Sequence, residues 1–421
     1  MTALVTIGII LLALLGTPLF VIIGSSTLVM YFFEGTEPAL LTINIATLAT
    51  KQILVAIPLF TFAGYLIAES NSPHRIIRFA RAAIGWFPGG LAIVALLACA
   101  IFTAFSGASG VTIIALGGLL YPLLVKEGYT EKFALGHITA SGSAGLLIFP
   151  AVPLILYSIV AEVSFDQLKN AAILPWLVLV GCLSIYCIIF AKKNNIPREP
   201  FDKKELIVSF WGMKWEFAIP VLVFGGIYGG FVTAAESAAI TALYTFVMTV
   251  FIYGDIKIFR DLPKIVRESM SLVGGILLIL GCALGLTNYL IDMEVPDRIF
   301  EYMQTMIDNK YVFLFALNIF LLIVGCMMDV FSAIMIVVPI IVPVAAAFGI
   351  NPLHLGVIFL TNLEIGYSTP PVGLNLFIAS FRFNKPLVSV YAAALPFLAV
   401  RFVVLAIITY IPWLSLCLIM D

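Results

Sequence analysis

Apolar runs long enough to cross a bilayer recur along nearly the whole chain. Each commits its segment to a membrane helix, because hydrocarbon offers no water to an unpaired backbone group. The runs fall at 3–33, 40–68, 133–161, 171–191, 217–232, 235–253, 270–291, 353–381 and 387–419, which predicts nine crossings. The first has no basic stretch ahead of it and is about twice the length of a signal-peptide core, so it is read as a retained helix. With 62% of 421 residues hydrophobic and 11% charged, a water-soluble fold is ruled out.

Charge and composition remove several function classes. Lys plus Arg number 22 against 23 Asp plus Glu, so no basic excess attracts nucleic acid. Cys99, Cys182, Cys187, Cys282, Cys326 and Cys417 form no C-x-x-C pair, and His74, His137 and His354 are far apart in sequence. Neither a transition-metal site, a disulfide framework nor a cofactor is indicated.

Two further stretches, 87–124 and 311–348, are each broken at the middle by small or polar residues. Each half is roughly 16 residues, or about 24 Å of helix, against a hydrocarbon core about 30 Å thick. Re-entrant hairpins are therefore expected. Two tilted full spans also return the chain to its starting side, so charge parity does not choose between them.

With the N-terminus in the cytoplasm and the C-terminus outside, 17 basic residues lie in inner loops. The outer loops hold Lys169, Arg298 and Lys310, and Lys51 and Arg401 fall within spans. That asymmetry fixes the expected orientation. Segment 72–83, with Arg75, Arg78 and Arg81 at every third position, reads as an amphipathic helix on the cytoplasmic surface that anchors its neighbours.

The chain also repeats itself. Tyr65-Leu66-Ile67 recurs as Tyr289-Leu290-Ile291, and Pro73, Arg75 and Ile76 recur as Pro296, Arg298 and Ile299. Pro122, Gly128, Gly136 and Pro150 match Pro343, Gly349, Gly356 and Pro370, the offset drifting only from 224 to 220. Five spans separate Pro73 from Pro296, an odd number, so the repeat is inverted. Inverted repeats with broken helices are an architecture of secondary transporters, whose two halves exchange conformations around a shared site.

The interruptions occupy corresponding places. In the first half they are Phe105-Ser106-Gly107-Ala108-Ser109-Gly110 and Ser141-Gly142-Ser143-Ala144-Gly145 before Pro150. In the second they are Gly325-Cys326-Met327-Met328-Asp329 and Asn362 through Pro371. Glycine permits the unwound turn, proline stops the helix re-forming, and hydroxyls add oxygen ligands. Carbonyls and hydroxyls so gathered suit a hard cation of Na⁺ type, while half-helix N-termini favour a carboxylate beside it. A single Ser-Gly motif is more often a helix contact; the pairing of four is what points to ion sites.

Five ionisable residues lie in apolar surroundings: Lys51, Glu236, Asp329, Glu364 and Arg401. Each needs a partner or water. Asp329 and Glu364 sit inside interruptions and are read as shaping the ion field. Glu236 is read as capping a helix start after Thr233. Lys51 and Arg401 are read as snorkelling or touching a partner subunit.

The string Asn-Leu-Glu-Ile-Gly-Tyr-Ser-Thr-Pro-Pro-Val-Gly-Leu-Asn-Leu at 362–376, with the F-S-G-A-S-G and S-G-S-A-G-L-L-I-F-P breaks, resembles the large membrane subunit of tripartite ATP-independent periplasmic (TRAP) transporters. The resemblance covers almost the whole chain. It implies an all-α polytopic membrane protein with an inverted-repeat, ion-transporter-superfamily fold of elevator type, carrying two re-entrant hairpins and two broken spans. Its implied divisions are 1–86 (scaffold and arm), 87–161 (first transport segment), 162–310 (scaffold with the second arm), 311–386 (second transport segment) and 387–421 (C-terminal scaffold helix).

Carried over by position, the resemblance implies sodium ligands at Ser106, Gly107, Ser109, Ser141, Gly142 and Gly145, and at Gly325, Cys326, Asp329, Asn362, Gly366, Thr369 and Pro370. Substrate contacts would fall to Ser106, Ser109, Asn362, Thr369 and Asn375. Pro150 is followed by Ala151, where the family often has a second proline. The resemblance further implies a separate small four-helix membrane subunit, a periplasmic binding protein and an organic acid cargo of C4-dicarboxylate or sialic-acid type.

The expected activity is thus Na⁺-coupled import of an organic acid across the bacterial inner membrane, and not catalysis. Two rivals stand beside it. Gly107-Ala108-Ser109-Gly110 fits the G-x-S-G of intramembrane serine proteases, with His137 or His354 as base. A cation antiporter without organic substrate shares the fold logic.

Overall fold

Helices are the one open structure that pairs its own backbone in hydrocarbon. The computed structural model, which describes residues 17–48, 50–197, 200–305, 307 and 309–419, contains helices and no strand among them. The expected first span lies partly outside the described residues; its described part is α1 (Leu19–Glu34). The expected span 40–68 is divided. It comprises α2 (Ala39–Leu48), a 3-10 turn at Gln52–Val55 capped by Lys51, and α3 (Ala56–Glu69). Lys51 therefore stands at a helix break and not in mid-span.

The amphipathic segment is α4 (Ser72–Ile84). Its arginines each reach a different element. Arg75 pairs with Glu216 and, at 2.7 Å, with Asp255, while Arg78 pairs with Glu205 at 2.6 Å and Arg81 with Glu127 at 2.8 Å. The arm anchors its neighbours, as its charge spacing predicts.

Next come α5 (Gly90–Ser106) and α6 (Ser109–Lys126), then α7 (Glu131–Ser141), a run of turns, and α8 (Val152–Val160). They are followed by α9 (Phe165–Lys193), α10 (Lys203–Gly212) and α11 (Lys214–Pro220). Continued to Tyr228, the last bends from α10 by 71°. α12 (Ala234–Val247) opens with a capping box between Thr233 and Glu236, the role expected of Glu236. The second half then runs α13 (Leu262–Asp292), α14 (Val295–Gln304), α15 (Lys310–Met327), α16 (Val330–Ala347), α17 (Pro352–Gly366), α18 (Leu374–Phe383), α19 (Leu387–Tyr410) and α20 (Trp413–Leu416).

Eight described helices are long and apolar enough to cross a membrane, or nine if the bent pair is one span. That set includes hairpin arms and omits the two broken spans, whose halves are too short alone. Both hairpins close at their bases. Phe313 at the start of α15 stacks on Phe348 past the end of α16 with centroids 4.3 Å apart. At the base of the first, Gly89–Leu91 and Glu127 border one small cavity.

Two groups of helices stand out in the packing, joined to each other where α3 meets α5 and α13 meets α16. α3 packs on α12 and α13, and α13 on α1 and α2. The other set interleaves the halves: α6 against α18, α8 against α16, α7 against α19, and α9 against α17 and α19. α9 and α19 thus lie beside the broken spans.

Candidate functional site

The first hairpin turns where α5 runs out of helix-permitting backbone. Gly107 takes φ +69°, a conformation open to glycine, Ala108 is extended, and Ser109 restarts the helix. Ser106 and Ser109 are buried. Thr103 donates to the Gly142 carbonyl at 2.7 Å, and the Thr112 hydroxyl lies 2.5 Å from that of Thr103. Threonines from both arms thereby fasten the hairpin tip to the break in the first split span.

Beyond Ser141 the chain leaves the α-helix through consecutive turns, passes a cis Phe149–Pro150 bond and resumes at α8. Gly145 permits this break to lie against α5, since a β-carbon there would stand 2.0 Å from the Ala100 carbonyl oxygen. Ser143 donates to the Glu364 carbonyl at 3.2 Å, crossing into the second half.

The second hairpin is built likewise. Met328 is extended, and Asp329 caps α16 by accepting from the amides of Phe331 and Ser332 at 2.9 and 3.0 Å and from the Ser332 hydroxyl. The second split span unwinds after Gly366, passes a cis Pro370–Pro371 bond and restarts at Leu374. A β-carbon on Gly366 would lie 2.5 Å from the Gly325 carbonyl carbon, so the two glycines mark a backbone-to-backbone contact. The Cys326 carbonyl accepts from the Gly373 amide at 3.0 Å, and the Tyr367 hydroxyl accepts from the Val330 amide.

Two residues beyond Gly373, Asn375 accepts from the Ser109 hydroxyl at 2.7 Å. Both hairpin tips therefore bond to one short segment where the helix restarts, 373–375, the first through Asn375 and the second through Gly373. Ser106, Gly107, Ser109, Gly142 and Asn375 gather around the first tip; Gly325, Cys326, Gly366 and Tyr367 gather around the second.

The oxygens differ in what they can still do. Ser109 and Thr369 direct their protons into the protein, Thr369 to the Ile365 carbonyl at 2.9 Å, which leaves lone pairs for a cation. Asn362 lies inside α17 and donates to Asn318 at 2.7 Å and to the Ile358 carbonyl at 2.9 Å. Its Oδ1 and the hydroxyl of Ser368 are buried and without a hydrogen-bond partner among the described residues. Such atoms demand an ion or water. Ser106 has contacts of only 3.4 and 3.5 Å, with Ala108. Asp329 stands at the second hairpin tip, where its carboxylate also serves the α16 N-terminus. Pro370 is half-buried at the rim, and Ser141 is buried at the end of α7.

Thr103 and Thr112 escape motif reading, Ser368 lies inside the 362–376 string without being singled out as a ligand, and the partner of Arg401 is not announced by its position. Arg401 on α19 is fully buried, and its Nη2 lies 3.2 Å from Glu364 Oε1. The expectation that it snorkels or meets a partner subunit is corrected: its partners are inside the chain.

No protease geometry is present around Ser109. His137 Nε2 bonds the Ala92 carbonyl at 2.8 Å, and His354 bonds Ser415 and the Thr409 carbonyl. The Ser109 hydroxyl itself donates to an asparagine.

Comparison with known proteins is consistent with this geometry. Residues 6–414 match the family model described as tripartite ATP-independent periplasmic transporter, DctM component. A C4-dicarboxylate TRAP transporter large permease protein DctM of Vibrio cholerae is 35% identical, covering 98% of this chain and 96% of that protein. The protein of the same name from Pseudomonas aeruginosa is 35% identical over 94% and 92%. Among solved structures, the Alcanivorax borkumensis YdaH transporter matches with a TM-score of 0.64 at 15% identity, covering 89% of this chain and 87% of that one, a likeness of fold.

Proposed function

Since the chain belongs to the DctM component family of tripartite ATP-independent periplasmic transporters, whose members are transporter permeases and not enzymes, we propose that it imports an organic acid, C4-dicarboxylate first, by sodium symport. The observation that carries this reading is the convergence of both hairpin tips on 373–375 through Ser109–Asn375 and Cys326–Gly373.

Na⁺ is held at the two breaks by carbonyls and by hydroxyl lone pairs of the Ser109 and Thr369 kind. The carboxylate sits between the tips, facing Ser106, Ser109, Asn375 and Thr369. Without the cation, unwound carbonyls face the carboxylate with like partial charge, so the two bind together. Each net positive charge carried inward gains about 2.3 kcal/mol per 100 mV.

Transport proceeds by an elevator motion of the interleaved set against the scaffold. Packing supports a moving body that includes α9 and α19 as well as 87–161 and 311–386, leaving α1–α3, α12 and α13 as the static part. A periplasmic binding protein delivers the acid and a small membrane subunit completes the scaffold, as the tripartite architecture requires. The inner membrane is the location, with the N-terminus cytoplasmic.

Uptake of radiolabelled succinate into proteoliposomes holding the assembled system tests this. An inward Na⁺ gradient drives accumulation if the reading is right. Equal uptake in K⁺ alone contradicts sodium coupling, and Na⁺ flux without any organic acid supports the antiporter instead.

A further inference from the structure

Arg401 occupies a setting that resembles a cation site in its acceptor oxygens. Its Nη1 lies 3.3 Å from Ser143 Oγ and 3.5 Å from the Glu364 carbonyl, and its Nη2 bonds the Ala140 carbonyl and lies 3.2 Å from Glu364 Oε1. Ser143 in turn donates to the Glu364 carbonyl at 3.2 Å. All of these side chains are fully buried. The Arg401 Nε and both Glu364 carboxylate oxygens have no hydrogen-bond partner among the described residues, so Arg401 and Glu364 meet as an ion pair.

The position of these contacts matters more than their number. Ala140 directly precedes Ser141 and Gly142 of the first break, and Glu364 stands two residues before Gly366 of the second. One planar guanidinium thus spans the last helical carbonyls of α7 and the last turn of α17, elements from opposite repeats. Removing water from two opposite charges costs several kcal/mol per ion, and packed apolar residues often serve stability as well or better. Stability alone therefore gives little reason for an ion pair at this place.

We propose that Arg401, through Glu364, is a positioning residue that mechanically couples the two breaks, so that a cation bound at one favours the binding-competent shape of the other. This rests on the sodium reading above. A guanidinium can satisfy both breaks at once because its donors are fixed in one plane; an ammonium is a single point and reaches one break or the other. Coupling then appears as cooperativity in sodium binding, because a shift of either carbonyl group moves the shared fork.

The test compares wild type, Arg401→Lys, and the double variant Glu364→Leu with Arg401→Met, which removes both charges together and leaves no unpaired ion. Each full chain is purified in nanodiscs, checked for monodispersity, and titrated with NaCl at constant ionic strength using choline chloride, with thermal midpoint as the readout. Wild type is expected to respond with a Hill coefficient above 1. The lysine variant is expected to keep its fold while its half-saturating Na⁺ rises about fivefold or more and its slope falls to about 1. The double variant is expected to lose the steepness likewise.

A wild-type slope and midpoint retained in both folded variants overturns the coupling and leaves the sodium reading intact. Absence of any Na⁺-specific response in wild type overturns the sodium reading and the coupling with it. Should the double variant fail to fold, Arg401→Lys decides alone, since it preserves the charge.

Discussion

Ser109 Oγ donates to Asn375 Oδ1 at 2.7 Å, joining the tip of the first hairpin to the restart of the second broken span across 266 residues of chain. The bond is buried on both sides, and Asn375 also reaches the Thr139 carbonyl at 3.5 Å. A single side-chain pair thereby ties together the two halves of an inverted repeat at the place where substrate is proposed to sit.

Replacing Ser109 by Ala leaves the Asn375 oxygen without its donor. A buried hydrogen bond of this kind contributes about 1 kcal/mol to stability, so the thermal midpoint should fall slightly, and because Asn375 loses its orientation the apparent affinity for the acid should fall as well. Initial uptake rates across a concentration series check this. Unaltered affinity in a folded S109A protein would separate the bond from the substrate site.

Gly145→Ala and Gly366→Ala should each destabilise, since the added carbon meets backbone that has no rotamer to yield. Overpacking of this type costs about 1–3 kcal/mol. Gly181 and Gly274, which have nothing within 4 Å of the same position, supply the controls. Melting in detergent should fall for the first pair and stay level for the second.

On the arm, Arg75→Ala and Arg78→Ala should part company. Arg75 is 20% exposed and holds the buried carboxylates of Glu216 and Asp255, so its loss leaves both without their cation, with only Tyr253 and Asn71 as donors among the described residues, at a cost on the order of 2 kcal/mol. Arg78 is 57% exposed beside Glu205 at 41%, and its loss should change little. Thermal melts of the two variants, repeated at high salt, distinguish them.

The same clamp predicts a pH dependence. Burial pushes the Asp255 carboxyl up, and the bonds from Arg75 and Asn71 outweigh it, so the group is held below its ordinary value. A depressed carboxylate contributes its stability in full above the unfolded value and loses it as pH falls through the folded one. Stability of the wild type relative to Asp255→Asn should therefore shrink on acidification below about pH 4, and not on raising the pH.

Much of this was readable in the linear chain, for definite reasons. Apolar run length announces a membrane helix, and the Gly-Ser and Pro clusters announce where helix cannot continue, so hairpins, breaks and their inverted pairing were all accessible. The charge spacing of Arg75, Arg78 and Arg81 foretold an anchoring helix, and each arginine meets a carboxylate on a neighbouring element. What escaped depends on contacts between distant helices. Arg401 and Glu364 stand 37 residues apart, on α19 and α17, and only the packing of those helices turns two isolated charges into a pair. Asp329 reads as an ion ligand because a carboxylate at a break fits that role; its bonds to the amides at the α16 N-terminus are a second role that no spacing announces. Conversely, two unpaired opposite charges in apolar text are themselves a signal that each requires the other.

Electron cryo-microscopy of the assembled transporter in Na⁺ with succinate tests the central claim most directly. The account predicts non-protein density at both breaks, bordered by Ser106–Ser109 with Ser141–Gly145 and by Gly325–Cys326 with Gly366–Thr369, and a substrate feature between the tips beside Asn375. Breaks packed shut in the presence of both ligands, or substrate density outside the space between the two hairpins, would contradict it.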